Sequence, residues 1–406
     1  MKKQTQWLKC SVLVGVALIM GSQLALAQSM TVKDIDSAGL PPGMVRMSSN
    51  ENPMGPSSKA VEAVMKYIQN SNRYSWYELD EKGNPKNLNP GTLLSQALAK
   101  VDGVTLPIDF NPRSDETPYF FAAGSGRILK LLSIAYLSRG DGEVIEAEVA
   151  YGDISEEAEE LNQRGIPTSV IRVPMTQDYR HDLDAMLKAI TPKTSLVVIT
   201  NPNNPTGTLL TYKELANFVN AAPKHVVIVI DEAYIHFVDD PDYRKYSAIP
   251  LALTNDNVIV VRTFSKVYGI RGILLGYSVA SPKINERMSI FNTGRASALA
   301  QIAGAAAVED QAHFQKSRQA VLDSKKLMYE AFDELDLEYI PSQSSFVLVN
   351  VGRDSQNVRN EMWKRRVSIS TRGSQHMEGW IRISAGTRDE TEVFLSTLKT
   401  VLTKVL

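Results

Sequence analysis

Apolar and polar residues follow one another in short blocks between Tyr119 and Ala280, where brief apolar runs are separated by amphipathic stretches. A short apolar run bounded by turn residues predicts a buried strand, and apolar residues spaced three and four positions apart predict a helix. The predicted strands are Tyr119–Ala123, Glu143–Val149, Ser169–Val173, Thr194–Thr200, His225–Asp231 and Asn257–Thr263. The predicted helices between them are Arg127–Leu137, Glu156–Arg164, His181–Ile190 and Tyr212–Ala222. This alternation predicts an α/β fold with a mainly parallel, doubly wound sheet.

The pattern changes after Ala296, where longer helical stretches precede the remaining strands. The elements predicted there are a helix, two strands and a final helix: Ala298–Leu335, Ser344–Val351, Trp380–Ala385 and Thr391–Leu406. Residues 76–295 are therefore predicted to form a large domain. Residues 296–406 are predicted to form a smaller α+β domain, to which an N-terminal arm, residues 28–75, contributes.

The first part of the chain, residues 1–27, has the pattern of a targeting segment. Three lysines form a basic start, an apolar core of about a dozen residues follows, and Ala25 and Ala27 occupy the small-residue positions of a cleavage site. This predicts a signal peptide cut after Ala27 and hence a periplasmic or secreted protein; an uncleaved anchor is the alternative. Cleavage would remove Cys10, the only cysteine, and change the formal net charge from −1 to −4. A mature protein without thiols suits an oxidising compartment.

The overall composition disfavours several classes of function. The formal charge of −1 and the pI of about 6.6 argue against a nucleic-acid-binding surface. No other segment is long and apolar enough to predict a membrane span, so no membrane association is expected after signal cleavage. The histidines show no metal-ligand spacing, and no metal is expected; they are His181, His225, His236, His313 and His376. The nucleophile elbow of serine hydrolases does not occur.

Ligand sites in open parallel sheets lie at the carboxyl ends of the strands, so the residues that follow each strand are the candidates. Gly124, Ser125 and Gly126 follow the first strand and precede a helix. Small residues at a positive helix terminus suit a phosphate, although a tight turn without a ligand is the alternative. Tyr151 follows the second strand, where it would stack on a flat ring or pack in the protein.

Two further strand ends carry polar residues of a different kind. The turn Asn201–Gly207, with the sequence NPNNPTG, is rigid and presents amides such as that of Asn204. Asp231 and Tyr234 come at the end of a fully apolar strand. A buried acid there requires a cationic partner, which a protonated ring nitrogen or an arginine would supply.

The last strand of the parallel series ends at Thr263, Ser265 and Lys266. The hydroxyl groups suit a phosphate, and a lysine held near a phosphate, an acid and an aromatic ring is a candidate for imine formation. Phosphate donors, a stacking ring, an acid for a ring nitrogen and an imine-forming lysine thus share one edge of the sheet. Together they predict pyridoxal 5′-phosphate as the cofactor.

Seven segments occur in the order and spacing typical of one enzyme family. They are SSNENPMGPS, NRY, NPNNPTG, IDEAY, TFSKVYGIRGILLGY, NTGRASALAQIAGAAA and WIRISAGTRDE. On these segments the chain resembles the fold-type-I pyridoxal-phosphate aminotransferases of class I/II, and most closely the histidinol-phosphate aminotransferase-like group. The resemblance runs from about Ser48 to the C-terminus.

The resemblance implies a role for each residue at the strand ends. Lys266 would hold the cofactor as an imine and then shuttle the proton. Asp231 would pair with the pyridine nitrogen of the cofactor. Asn204 and Tyr234 would hydrogen-bond its phenolic oxygen, and Tyr151 would stack on its ring. The catalytic residues implied are therefore Lys266, Asp231 and Tyr234.

The resemblance also implies contacts with the phosphate and with the substrate. The residues implied at the phosphate are Ser125, Gly126, Thr263 and Ser265. Tyr74 would reach the phosphate of the neighbouring subunit, which implies a homodimer with shared sites. Arg382 would clamp the α-carboxylate of the substrate in a bidentate pair. Arg372 would be a second substrate arginine, and Asn52 would line the substrate side.

The chain departs from the family pattern at the phosphate. The arginine that the family places eight residues after the lysine is Leu274 in this chain. We expect Arg271 or Arg127 to supply the missing charge. The stretch Glu78–Gly91 is interpreted as an insertion near Tyr74.

The sequence favours an exported aminotransferase that acts on an amino acid or a related amine. A lyase, racemase or decarboxylase that uses the same cofactor on the same fold is the first alternative, because the residues do not fix which bond at Cα breaks. A binding protein without catalysis is the second alternative. The presence of Lys266, Asp231, Asn204 and Tyr234 argues against it.

Overall fold

The structure is a computed structural model that describes residues 43–107, 110, 116–292, 294–352, 354–372 and 377–404. Contacts group residues 46–406 into one compact unit. The predicted signal peptide and its cleavage site at Ala27 lie outside the described residues.

The described strands are β1 Val45–Arg46, β2 Trp76–Leu79, β3 Pro85–Leu88, β4 Tyr119–Ala122, β5 Gly142–Ala147, β6 Thr168–Val173, β7 Thr194–Thr200, β8 Val227–Asp231, β9 Val258–Thr263, β10 Gly276–Ala280, β11 Tyr339–Ile340, β12 Phe346–Asn350, β13 Val367–Ser368, β14 Ser370–Thr371 and β15 Trp380–Ser384. The described α-helices are α1 Ser58–Tyr67, α2 Pro90–Asp102, α3 Ser125–Leu137, α4 Asp153–Gln163, α5 Leu183–Lys188, α6 Tyr212–Ala221, α7 Ile249–Thr254, α8 Pro282–Ser289, α9 Ala298–Glu309, α10 Gln311–Glu334, α11 Ser355–Lys364 and α12 Arg388–Lys404.

A seven-stranded sheet forms the centre of the fold, with the strand order β4-β10-β9-β8-β7-β5-β6. The pairs from β9 to β6 are parallel, whereas β10 is antiparallel to both β4 and β9. The predicted α/β fold with a mainly parallel sheet is confirmed. The strand β10 is not predicted from the sequence, because its residues follow the glycine-rich stretch after Lys266 and resemble a loop.

Both faces of this sheet are buried, which explains why its strands are almost entirely apolar. Along β8, Ile228 and Ile230 join one core cluster, while Val227 and Val229 join the cluster on the opposite face. Successive side chains of a strand point to opposite faces, so a strand covered on both sides needs an apolar residue at every position. This packing leaves Asp231 as the first polar residue of β8, at its carboxyl end.

The C-terminal part contains a four-stranded sheet with the order β11-β12-β15-β14. The helical stretch predicted over Ala298–Leu335 consists of two helices, α9 and α10, which meet at Asp310. The backbone of Asp310 leaves the helical conformation, and its side chain accepts a hydrogen bond from the backbone N–H of His313. An aspartate at this position caps the second helix, which is the local reason for the break.

The predicted insertion Glu78–Gly91 overlaps a hairpin and the start of α2. Strands β2 and β3 pair antiparallel, with Trp76 opposite Leu88. Trp76 also stacks on Tyr67 of α1 at a centroid distance of 5.7 Å, which attaches the hairpin to the rest of the fold. In the described part of the chain, no helix has both the length and the apolar character that crossing a membrane requires.

Candidate active site

A cavity of about 260 Å³ lies at the carboxyl ends of β4, β7, β8 and β9. Most of the residues predicted to bind the cofactor line it. They are Ser125, Gly126, Arg127, Tyr151, Asn204, Asp231, Tyr234, Thr263, Ser265, Lys266 and Arg271. These residues come from five separate stretches of the sequence, and the parallel sheet brings them together because the carboxyl ends of its strands share one edge.

Asp231 closes the inner end of this cavity. It is 4% exposed, and its Oδ1 atom accepts a hydrogen bond of 3.0 Å from the backbone N–H of Ala233. Burial, which outweighs that hydrogen bond, raises the pKa of Asp231 to about 7. None of the ion pairs among the described residues involves this carboxylate. The carboxylate therefore suits a positively charged group in the cavity, such as a protonated ring nitrogen.

The opposite end of the cavity is formed by the turn before α3. Gly124, the N-cap of α3, has φ 94° and ψ 157°, a conformation that glycine adopts without strain. Gly276 of β10 packs against this turn, and a Cβ there would lie 2.2 Å from the backbone nitrogen of Ser125. The N–H groups at the start of α3 receive no side-chain cap from Gly124, so this end suits an anion such as a phosphate.

Lys266 lies between these two ends. Its Nζ atom donates to the backbone carbonyl of Asn50 at 3.2 Å and lies 5.2 Å from the ring centroid of Tyr234. The Asn50 side chain in turn donates to the Tyr234 hydroxyl at 3.0 Å and accepts from the Ser384 hydroxyl at 2.9 Å. Asn50 thus holds both the lysine and the tyrosine, and it is 2% exposed.

Asn50 is a site residue that the sequence analysis misses. The same segment contains Asn52, which is predicted to line the substrate side. Instead, the Asn52 amide donates to the carbonyl of Val267 at 2.8 Å and to the hydroxyl of Ser317 at 3.0 Å, and it is not among the cavity residues. Asn50 belongs to the same SSNENPMGPS segment as Asn52, but spacing alone does not decide which asparagine contacts the cavity residues Lys266 and Tyr234.

The two predicted substrate arginines do not line the cavity itself but lie beside it. Arg382 of β15 donates to the Asn204 side chain at 2.7 Å and to the backbone carbonyl of Ser48 at 3.1 Å. Arg372 donates to the carbonyl of Thr371 at 2.9 Å. The Nε atoms of both guanidinium groups are buried and have no hydrogen-bond partner among the described residues. Each arginine therefore retains a donor for a ligand.

Four more residues from the sequence analysis have informative positions. Tyr74 is fully exposed and does not reach the cavity of its own chain. Leu274, which replaces the arginine of the family pattern, lines the cavity with φ 58° and a 44% exposed side chain. Arg127 and Arg271, the two predicted substitutes, both line the same cavity. Which of the two compensates stays a prediction.

The donor set fits pyridoxal 5′-phosphate. A helix terminus with hydroxyl groups, a buried carboxylate without an ion pair among the described residues and a lysine amine line the same cavity. Among the described residues, no cluster of histidines, cysteines and carboxylates could hold a metal ion.

Comparison with known proteins agrees with this assignment. The family model of aminotransferase class I and II matches residues 42–398. The chain belongs to this family. It is 35% identical over 363 residues to histidinol-phosphate aminotransferase of Moorella thermoacetica, which covers 88% of this chain and 86% of that protein. It is 33% identical over 369 residues to the Brevibacillus brevis enzyme of the same name, covering 89% of this chain and 92% of that enzyme.

Solved structures of aminotransferases share the fold. A putative histidinol-phosphate aminotransferase from Erwinia carotovora atroseptica matches with a TM-score of 0.76 and 26% identity, over 89% of this chain and 97% of that one. The Sinorhizobium meliloti enzyme in complex with pyridoxal-5′-phosphate matches with a TM-score of 0.76 and 22% identity, over 94% and 97% of the two chains. The protein is thus a pyridoxal-phosphate-dependent aminotransferase, which confirms the predicted family, cofactor and enzyme class. The other predicted reaction types on this fold are not supported.

Proposed function

We propose that this aminotransferase acts on amines whose anionic group carries more negative charge than a carboxylate, with histidinol phosphate, in which a phosphate stands in place of the α-carboxylate, as the representative donor. The observation that carries the proposal is the pair of arginines formed by the buried Arg382, which donates to Asn204 of the cavity, and the partly buried Arg372. Several relatives are named histidinol-phosphate aminotransferases, which supports the same class of substrate.

The positive charges of the two guanidinium groups are unfavourable in this environment, so a bound anion would stabilise them. Burial, and next to it the charge of Arg382, lowers the pKa of Arg372 to about 9. Burial likewise lowers the pKa of Arg382. A carboxylate or phosphate between them would offset both effects, and the fork of donors on arginine matches the oxygens of either group. One arginine would bind the α-carboxylate of an amino acid, and the pair would bind a more highly charged substrate.

Five residues of the cavity would hold the cofactor and take part in this reaction. Bound pyridoxal phosphate would supply an aldehyde for the amino group and a ring that accepts the electrons of the broken Cα–H bond. Lys266 would hold the aldehyde carbon of the cofactor and move the proton at Cα. Asp231 would keep the ring nitrogen protonated, and Asn204 and Tyr234 would orient the ring through its phenolic oxygen. Tyr151 would stack on the ring.

The phosphate of the cofactor binds at the start of α3. The groups that hold it are Ser125, Gly126, Thr263, Ser265 and one of the arginines 127 and 271. Ser265 is fixed there by a hydrogen bond of 3.1 Å from its backbone N–H to the Thr263 hydroxyl. Tyr74 completes the phosphate site of a partner subunit in a homodimer, and its full exposure in the single chain supports this arrangement.

The arginine pair predicts a specific change of substrate preference. Arg372→Gln is expected to lower kcat/KM for histidinol phosphate by roughly 10²-fold, because a buried anion loses a charged hydrogen-bond partner. It is expected to change kcat/KM for alanine, which has only the α-carboxylate, by less than about threefold. Steady-state assays with 2-oxoglutarate as acceptor measure both values.

The exposed Arg388→Gln is the control for the loss of one positive charge, since Arg388 is 73% exposed at its side chain. Arg382→Gln is expected to lower kcat/KM for both donors. Alanine contains the α-carboxylate that Arg382 is proposed to bind, and histidinol phosphate has a phosphate in its place. Equal losses for the two donors in Arg372→Gln would refute the proposed selection for a second negative charge.

We further propose that the enzyme is exported and works as a dimer. The N-terminal segment supports export, and exposed Tyr74 supports the dimer. Native mass spectrometry of protein purified from outside the cytoplasm is expected to give a mass of two chains that each begin at Gln28. Recovery of the full-length chain from the cytoplasm would contradict export, and a monomer at micromolar concentration would contradict the shared site.

A further inference from the structure

Asp153 is a carboxylate of the cofactor cavity that has no part in the proposed reaction. It is the first residue of α4, and it lines the cavity together with Ser125 and Gly126. Its Oδ2 atom lies 2.7 Å from the position that a Cβ at Gly126 would occupy. The carboxylate therefore lies against the first turn of α3, at the end of the cavity that is assigned to the phosphate.

This first turn of α3 favours an anion, and Asp153 already places a negative charge beside it. The N-terminal N–H groups of a helix carry partial positive charge, and Gly124 provides no side chain to accept from them. A phosphate that binds there has to approach the Asp153 carboxylate. Two negative charges at short distance in a partly buried cavity repel each other strongly.

The residues that line the cavity carry charges of both signs. Lys266, Arg127 and Arg271 line it, and so do two carboxylates, Asp153 and Asp231. Leu274 occupies the position at which the family pattern has an arginine, and one of Arg127 and Arg271 is proposed to replace that charge. The Asp153 carboxylate beside the α3 turn is then the charge that lowers the attraction for a doubly charged phosphate there.

Asp153 also acts on Tyr151, two residues before it. Burial first, and then the charge of Asp153 and a hydrogen bond to it, raise the pKa of the Tyr151 hydroxyl. The Tyr151 side chain is 41% exposed, so packing alone restrains it only in part. The carboxylate thus supplies a polar contact that orients the ring at the wall of the cavity.

We propose that Asp153 is a positioning residue with two opposed effects on the cofactor: it weakens the hold of the α3 turn on the phosphate group, and it fixes the Tyr151 ring against which the cofactor ring stacks. The result is a cofactor that is well oriented but exchanges with the solution. The proposal rests on the proposed placement of the phosphate at Ser125 and Gly126.

The test measures how tightly the cofactor-free protein binds each part of the cofactor, the phosphate group and the pyridoxal ring, on its own. Isothermal titration at pH 8 gives the Kd of inorganic phosphate, and absorbance titration gives the Kd of pyridoxal, which has no phosphate. Asp153→Asn is expected to tighten phosphate binding about tenfold, because one repulsive charge is removed. It is expected to weaken pyridoxal binding a few-fold, because Tyr151 loses its charged partner.

The control is Glu156→Gln, which removes one negative charge from the first turn of the same helix. Glu156 is exposed and does not line the cavity, so both Kd values are expected to stay within about twofold of wild type. If Asp153→Asn and Glu156→Gln changed the two Kd values alike, the cause would be the total charge of α4, and that result would overturn the proposal. Asp153→Ser, expected to behave like Asp153→Asn, is measured as well in case the asparagine variant does not fold.

Ser125→Ala separates the proposal from the placement on which it rests. If this variant weakens phosphate binding and Asp153→Asn fails to tighten it, the role of Asp153 alone is refuted. If Ser125→Ala leaves phosphate binding unchanged, the phosphate does not bind at the α3 turn, and the placement and the proposal both fail. Opposite changes in the affinities for phosphate and pyridoxal, absent in Glu156→Gln, would support the role of Asp153.

Discussion

Lys266→Ala is expected to abolish covalent attachment of the cofactor and to lower kcat by about 10²–10⁴-fold, the range in which positioned proton transfer contributes to catalysis. The variant loses the amine that lies between the two ends of the cavity, 5.2 Å from the Tyr234 ring centroid. Borohydride treatment followed by peptide mass mapping detects attachment at Lys266 in the wild type. The same treatment is expected to label nothing in the variant.

Two control variants distinguish the loss of the imine-forming amine from the loss of a positive charge. Lys266→Arg keeps a positive charge near Asp231 but cannot form an imine, so it is expected to be as inactive as the alanine variant. Lys130→Ala removes a lysine from α3 that is 45% exposed and paired with Glu157, and it is expected to keep wild-type activity. Substantial turnover by Lys266→Arg would contradict the covalent role.

The sequence allows the cofactor cavity to be predicted because its residues sit at strand ends. Buried parallel strands are apolar at every position, so the first polar residue marks the carboxyl edge of the sheet. Asp231 is identifiable in this way, whereas Thr263 and Tyr151 are identified by their positions at or after the ends of their strands; all three line the cavity. Motif spacing then supplied the family, which the comparisons confirm.

The contacts that the sequence does not predict are those between distant segments. The carbonyl of Asn50 accepts from Lys266, and Asn204 accepts from Arg382, across separations of 216 and 178 residues. Neither pairing has a local pattern. Asp153 was overlooked for another reason: an acid in the first turn of a helix is common and stabilises the helix by itself, so its place in the cavity is visible only in the structure.

Arg262 is another case that the sequence leaves unexplained. This residue of β9 lies next to Thr263 and is 1% exposed. Its guanidinium group contacts the Asp102 carboxylate at 2.7 Å and the Glu232 carboxylate at 2.7 Å, and it donates to the Ser247 hydroxyl at 2.8 Å. From the sequence alone, an arginine in an apolar strand is an irregularity. In the fold, it joins the end of α2 to the strands that carry Asp231 and Thr263.

Arg262→Met is therefore expected to destabilise the protein by about 3–5 kcal/mol, because it leaves two buried carboxylates without a partner. Burial already raises the pKa of Asp102, although the charge of Arg262 opposes this effect. Without Arg262, we expect Asp102 to take up a proton on folding, so that the loss of stability is larger at pH 8 than at pH 5. Urea unfolding of the protein without cofactor at the two pH values measures the difference.

Two comparison variants show whether the unpaired buried carboxylates cause the loss of stability in Arg262→Met. Arg388→Met removes an exposed arginine with one carboxylate partner, Glu392, and is expected to cost less than about 1 kcal/mol. Combining Arg262→Met with Asp102→Asn and Glu232→Gln removes all three charges and is expected to restore part of the stability and abolish its pH dependence. If the triple variant is no more stable than Arg262→Met, lost packing of the arginine stem, rather than the uncompensated carboxylates, is the cause.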